Sequence, residues 1–438
     1  MPPSSTTRTP TDSSASISAG ARPQAPVRDT RVPPALLLAV IAVCTAVTVA
    51  NIYLAAPLLG LIAEGFGVRA SALGWVAALG QLGYAAGLLL FAPLGDTADR
   101  RRLVAALALA AGVAMTCAGL APGLPVLGLT VFVASAVTVV PQLLVPLVAE
   151  RAPAERRGRH LGAIVAGLFT GIVAARVLGA MAGDVFGWRA VFIGSAVLTV
   201  LVSLGTAALL PADVRPRRAD GNPGRGGAAN PLRGMARTAR TFAGSAELRR
   251  ACARQSGLFG AWSALWTSLA LLLTGAPYHL STGSAGLFGL FGLSATAIAP
   301  LSGGLVDRFG ARRVVNTAYV LAAVALPLFW LGGQRMWALC AAALLVHAGL
   351  VAGQVANQMR ALSSTDSPSA ANTGYIVVAF ISAAAASALA GPAFTHFGWT
   401  GVCAVALCWL VLGYVGGAGR DGGRGRRGAV AASGGVTR

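Results

Sequence analysis

The sequence predicts an all-α membrane protein whose twelve transmembrane helices form two pseudo-symmetric six-helix bundles. Three observations predict it. Of the 438 residues, 55% are hydrophobic and only 11% are charged, whereas a soluble chain carries about a quarter charged residues. So few charges cannot cover a water-facing surface, so most of the surface must face lipid. The apolar residues are gathered into twelve runs, each near the length a helix needs to cross a hydrocarbon core of ~30 Å: 34–62, 72–94, 103–121, 124–148, 160–182, 189–210, 252–275, 284–305, 314–332, 336–357, 371–392 and 399–418. The halves also repeat. Gly95-x-x-x-Asp99-Arg100 recurs 208 residues on as Gly303-x-x-x-Asp307-Arg308, and Phe186-Gly187-Trp188 recurs 211 residues on as Phe397-Gly398-Trp399. The difference of three is one insertion, Phe309-Gly310-Ala311, ahead of Arg312-Arg313, where the first copy runs directly into Arg101-Arg102.

Taken in order, residues 1–31 are Ser, Thr, Pro and Arg without apolar periodicity and are expected to be a disordered tail. They do not form a secretory signal, because the apolar run that follows is too long for one and many more spans come after it. Residues 32–210 make the first bundle. Segment 211–251, rich in Pro, Gly and Arg, is the linker between halves, with an amphipathic basic stretch at 232–248 suited to lie on the inner leaflet. Residues 252–418 make the second bundle, and 419–438 a second disordered tail.

The charge is distributed unevenly. The chain has no lysine, and 30 of its 34 arginines fall on one side if all twelve runs cross. Arg69, Arg189 and Arg335 fall on the other, and Arg176 is embedded. Short basic loops resist translocation, so the arginine-rich side, with both termini, is expected in the cytoplasm. The lack of lysine beside abundant Ala, Gly and Arg reads as a GC-rich bacterial coding bias, which makes the membrane a bacterial plasma membrane. A net charge of +20 would suggest nucleic acid in a soluble domain. Here the arginines sit in short loops without interleaved aromatics, so the lipid bilayer, not nucleic acid, is the expected counter-surface.

Parallel six-helix repeats around a central cavity are a transporter architecture. A membrane-embedded enzyme would need clustered His, Asp, Glu or Cys within spans, and the four histidines are scattered. Without lysine there is no Gly-x-x-x-x-Gly-Lys phosphate loop. The six cysteines form no CxxC pair and read as small buried hydrophobes, so no metal or cofactor is expected. A channel would want a ring of like polar groups, which a two-fold repeat does not supply. The expected partner is a small organic solute bound by a monomer. Candidate cavity residues are Asn51, Tyr53, Gln81, Tyr84, Gln142, Arg176, Trp262, Trp266, Gln354, Asn357, Asn372 and Tyr375; each could instead bond between helices. Arg176 could hold an anionic substrate group or bias a proton site; alternatively it could pair with Asp184 or snorkel outward. No carboxylate lies near the centre of a span, because Glu64, Glu150 and Asp184 sit at ends. His347 titrates in a suitable range and is a candidate proton site, with a proton as coupling ion; the alternatives are that it is a packed structural residue, or that Asp96, Asp99 or the carboxylates at span ends carry the proton.

At the loop Gly95-Asp96-Thr97-Ala98-Asp99-Arg100-Arg101-Arg102 the chain resembles the major facilitator superfamily, over about residues 34–418. The loop resembles the family signature between its second and third helices. Asn51-Ile52-Tyr53-x-x-x-Pro57-Leu58-Leu59, Gln81-Leu82-Gly83-Tyr84 and Gln354-Val355-Ala356-Asn357-Gln358 resemble a branch of bacterial inner-membrane permeases described as efflux proteins. The resemblance implies the major facilitator fold, alternating access and a small organic substrate, with export as the first reading and import or facilitated diffusion as the second. It also implies that Gly95, Asp96, Asp99, Arg100, Arg101 and Arg102, with Glu150, Asp307 and Arg308, form a gating latch. Gly158, Gly167 and Gly171 match the family's antiporter motif, but Ile172 stands where its proline belongs and Ala175-Arg176 where its glycine pair belongs.

Overall fold

A computed structural model of the chain describes residues 34–96, 99–151, 157–210 and 231–418. Both tails, residues 211–230 of the Pro/Gly-rich linker and part of the basic loop after the fourth span lie outside them. Among the described residues every regular element is helical. The helices are α1 (Pro34–Tyr53), α2 (Leu59–Phe66), α3 (Gly74–Phe91), α4 (Arg100–Gly119), α5 (Leu124–Val137), α6 (Val140–Arg151), α7 (Arg157–Leu209), α8 (Pro231–Gly244), α9 (Ala246–Thr274), α10 (Thr282–Gly286), α11 (Leu293–Phe309), α12 (Ala311–Leu331), α13 (Met336–Ser363) and α14 (Pro368–Gly416).

Among the described residues ten apolar helical runs are long enough to cross a membrane, and two of these, of 44 and 49 residues, are twice the length one crossing needs. Those two are α7 and α14. Each is a pair of spans reversed at a single glycine, Gly187 (φ 78°, ψ 158°) or Gly398 (φ 59°, ψ −151°). That backbone region belongs almost only to glycine, so the repeated Phe-Gly-Trp triplets mark the same reversal in both halves. Counting each pair as two gives twelve spans.

The residue after each glycine ties the reversal to a neighbouring helix end, directly in the second half and one residue later in the first. Arg189 Nη1 donates to the Gly119 and Ala121 carbonyls at the end of the third span, both at 3.0 Å. Trp399 Nε1 donates to the Phe329 carbonyl near the end of the ninth, at 2.6 Å. A helix end leaves carbonyls without partners, and these side chains satisfy them. Arg189, one of the few arginines on the sparse side, is therefore structural.

Prolines break two spans where the cavity needs polar groups. The first span stops at Tyr53, passes through a tight turn at Ala56–Leu58 containing Pro57, and resumes as α2. The fourth span is interrupted at Thr138 and Val139, just before Pro141 in α6. Proline removes an N–H and crowds the preceding turn, and the freed geometry presents Tyr53 and Gln142 inward.

Within the first half the second and fourth spans, and the first and fifth, cross at glycines. A methyl group added at Gly83 would stand 2.1 Å from the Phe132 carbonyl oxygen, and at Gly87 1.9 Å from that of Ala136. At Gly171 it would stand 2.1 Å from the Ala46 carbonyl oxygen, and at Gly167 2.6 Å from that of Ala42. Lipid supplies no hydrophobic drive between helices, so close van der Waals contact through small residues takes its place.

The seventh span begins at Ala246, inside the segment expected to be linker. Ser245 caps it by accepting from Leu248 N at 3.1 Å, and Glu247 pairs with Arg360 of the tenth span. The expected amphipathic stretch at 232–248 is thus α8 followed by the first turn of α9. Helix α8 rests on both halves: a methyl at Gly234 would meet Pro93 after the second span at 2.6 Å, and one at Gly374 of the eleventh would meet Thr238 at 3.3 Å.

Candidate substrate cavity

The halves meet along two seams at the arginine-poor end. In one, the start of the second span lies on the eleventh: a methyl at Gly391 would stand 2.4 Å from the Ser71 carbonyl oxygen, and the Thr395 hydroxyl bonds Ser71 Oγ at 2.7 Å. Deeper along this seam Gln81 Nε2 donates to Ser263 Oγ at 2.7 Å, and Ser387 Oγ lies 2.8 Å from Ser263 Oγ and 2.9 Å from Thr267 Oγ1. In the other seam the tightly wound residues Leu287–Gly292 of the eighth span lie on the fifth. Methyl groups at Gly286, Gly289 and Gly292 would stand 2.4 Å from Ala180 Cβ, 2.8 Å from Arg176 Cβ and 2.9 Å from Val173 Cγ2. The three-residue spacing is that of a 3₁₀ turn.

Between the halves, towards the arginine-rich end, lies a cavity of about 150 Å³. Tyr53, Tyr84, Gln142, Trp262, Gln354 and Tyr375 line it together with His347. Its aromatic wall is continuous: Phe259 stacks on Trp262 with centroids 5.5 Å apart, Trp262 on Trp266 at 5.7 Å, and Phe380 touches both Phe259 (5.2 Å) and Tyr84 (4.7 Å). Gln142 Nε2 donates to Tyr84 Oη at 3.2 Å, and Tyr375 Oη donates to the Gln354 carbonyl at 3.1 Å. His347 accepts at Nε2 from the Trp262 indole N–H at 3.4 Å, and its Nδ1 lies 2.8 Å from the Ala343 carbonyl oxygen. An indole N–H only donates, so this arrangement holds the neutral imidazole with its hydrogen on Nδ1.

The other cavity candidates lie elsewhere. Arg176 and Trp266 stand at the closed end and line a smaller space of about 30 Å³ beyond it. Asn51 faces the sixth span, donating to Thr199 Oγ1 at 2.9 Å and accepting from Ser195 Oγ at 2.7 Å. Gln81 belongs to the seam. Asn372 accepts from Gln358 at 2.8 Å. Asn357 is fully buried, with no partner for its amide among the described residues. Gln255, Phe259 and Phe380 line the cavity and were not expected there. A signal for two of them exists: Gln255, Phe259, Trp262 and Trp266 form one helical stripe.

Of the gating residues, Asp99 caps α4, accepting from Arg101 N at 2.9 Å and Arg102 N at 3.4 Å. Its ion pair with Arg102, at 3.7 Å, is too exposed to add much. Arg100 is buried, Arg101 is exposed, and Arg308 lies over the Phe309 ring at 5.2 Å beside exposed Asp307. Gly95 and Asp96 end a short 3₁₀ turn and Glu150 lies in the last turn of α6; the side chains of Asp96 and Glu150 lie outside the described residues.

The Gln81 cluster joins the halves only while the arginine-poor end is closed. Gln81→Leu removes its amide bonds while keeping the volume. An impermeant maleimide should then label a cysteine at position 274, in the smaller space, about fivefold faster, as expected for losing ~1 kcal/mol. An unchanged rate would mean the cluster does not hold the closure.

Sequence comparison matches residues 41–251 to the Major Facilitator Superfamily. A probable transporter of Streptomyces coelicolor is 61% identical over 381 residues, covering 86% of each chain. The uncharacterized transporter YgaY of Escherichia coli is 32% identical, covering 84% of this chain and 91% of its own. Among solved structures, a bacterial homolog of the human lysosomal transporter Spinster, inward-facing and unoccupied, superposes with TM-score 0.67 at 15% identity, over 87% of this chain and 95% of its own. The xylose transporter XylE of Escherichia coli, partially occluded and inward open, superposes with TM-score 0.62 at 15% identity, over 87% of this chain and 96% of its own.

Proposed function

The chain belongs to the major facilitator superfamily and is a multi-pass membrane transporter, not an enzyme, and from that premise we propose that it exports a small amphiphilic organic molecule from the cell. The observation that carries this reading is the cavity between the halves, apolar with a few hydrogen-bonding groups and, among the described residues, shut at the arginine-poor end by closely packed glycine seams. With arginine-rich loops and both termini in the cytoplasm, the cavity lies on the cytoplasmic side and loads from there. Rocking about the central site then opens the two seams and closes the arginine-rich end. Asp99, Arg100, Asp307, Arg308 and Glu150 are the charges positioned at that end to latch it. A single chain supplies the whole cavity, which supports a monomeric unit.

Proton antiport is the coupling we favour, with His347 as the proton site. Protonating Nε2 breaks its bond from Trp262 and puts a cation beside the cluster that already holds Arg176. Trp262 lines the cavity, so protonation of His347 rearranges the aromatic wall against which the solute lies, and this links the two.

The test is counterflow in proteoliposomes of known orientation with a panel of amphiphilic compounds, with and without an imposed pH gradient. Efflux driven by an inward proton gradient and lost in His347→Ala is expected. Transport indifferent to collapse of the gradient removes proton coupling, and net uptake into cells removes export.

A further inference from the structure

Arg176 is 8% exposed, and no hydrogen bond or ion pair reaches its guanidinium among the described residues. Its Nε is wholly buried without a partner. Asp184, eight residues on, sits instead at the far end of the seam, where a methyl at Gly283 would stand 3.1 Å from its Oδ2. What surrounds the guanidinium is aromatic. Its carbon lies 5.0 Å from the Trp262 ring centroid, 5.6 Å from that of Trp266 and 5.7 Å from that of Tyr53.

This arrangement satisfies the charge only in part. Burying an ion is costly even after relaxation, and arginine does not escape by losing its proton. Three ring faces offset part of that cost. They do nothing for the N–H donors, of which Nε is buried without an acceptor among the described residues. An anionic acceptor is what this charge lacks. Tyr53 and Trp262 also line the main cavity, while Arg176 and Trp266 line the smaller space beyond it, so the guanidinium stands at the end of the solute's chamber. A chamber of 150 Å³ with apolar walls is large enough to take a benzene-sized body.

We propose that the transported solute is an amphiphilic organic monoanion, a carboxylate whose head docks on Arg176 and whose apolar body lies along Phe259, Trp262 and Phe380. The inference rests on the transport reading above. The carboxylate supplies the missing acceptor through charge-assisted hydrogen bonds. It also bridges the halves, because Arg176 and Tyr53 belong to one and Trp262 and Trp266 to the other. Export of such an anion runs with an interior-negative membrane potential, which adds to its drive.

The test is isothermal titration calorimetry on the purified full-length protein with three probes that share one body: phenylbutyrate, its amide and the corresponding amine. Phenylbutyrate should bind at least about tenfold tighter than either neutral or cationic relative. In Arg176→Gln that preference should shrink to within about twofold while the amide binds as before, and Arg176→Lys should keep part of it. Equal affinities for acid and amide in the unaltered protein overturn the proposal. So does a carboxylate preference that survives Arg176→Gln, or no saturable phenylbutyrate binding up to about 10 mM. If the glutamine variant does not fold, the comparison of the three head groups decides alone. Anion-selective binding with net uptake in vesicles would leave this inference standing and remove the export reading; efflux of neutral solutes independent of residue 176 would do the reverse.

Discussion

Cysteines placed at Ser71 and Thr395 and oxidised to a disulfide are expected to stop transport completely, and a thiol reductant to restore it. The two hydroxyl oxygens lie 2.7 Å apart across the seam between the second and eleventh spans, a spacing from which replacement sulfurs can bond without large backbone movement. Transport by a rocking mechanism requires this seam to part in every cycle. What resists parting in the native protein is a set of neutral hydrogen bonds, each worth about 1 kcal/mol. A covalent link removes that freedom. Exposed Cys117 and Cys408 should be replaced first, because they could form other links. Each single cysteine variant should transport normally with or without oxidant. Continued transport by the fully oxidised double variant would mean that this end never opens, and with it the rocking mechanism would fall.

Gly171→Val is expected to abolish recovery of folded protein, whereas Gly60→Val is expected to be tolerated. At Gly171 the first added carbon already lies 2.1 Å from the Ala46 carbonyl oxygen, while nothing lies within 4 Å of the equivalent point at Gly60. A backbone atom cannot step aside as a flexible side chain can, so the first and fifth spans must separate. Overpacking of this kind costs on the order of 3 kcal/mol, and the weaker van der Waals attraction along the whole crossing adds to it. Monodispersity in detergent and the thermal unfolding midpoint measure the effect. A Gly171→Val protein as stable as its parent would show that the crossing is not held by backbone proximity.

The same pair of spans shows what could be read from sequence and what could not. Gly167 and Gly171 kept the spacing of the antiporter motif, and both sit at the crossing with the first span. The places where the motif failed, Ile172 and Arg176, face the cavity or its closed end. Helix packing constrains residue size at fixed intervals, so it leaves a periodic trace in sequence. So does chain reversal, which is why Gly187 and Gly398 could be recognised as equivalent. The direction in which a polar side chain points leaves no such trace. Asn51 and Tyr53 both lie in α1, two residues and so about 200° apart around it, and only packing decides that Asn51 turns to the sixth span and Tyr53 to the cavity. Gln81 looks like a cavity residue by type but meets hydroxyls contributed by two other spans, a meeting that only tertiary packing determines. Gln255 was overlooked because it falls near the expected start of its span, which the structure begins at Ala246.

The parting line between the second and eleventh spans is made of Ser71, Gly74, Gln81, Ser263, Thr267, Ser387, Gly391 and Thr395. Nothing in that set can gain or lose a proton in ordinary water, and nothing in it attracts counterions. Acid cannot titrate this seam and brine cannot screen it. In the orientation proposed above it faces a fluid the cell does not control, and a door built from alcohols, one amide and bare backbone holds there without regard to pH or salt.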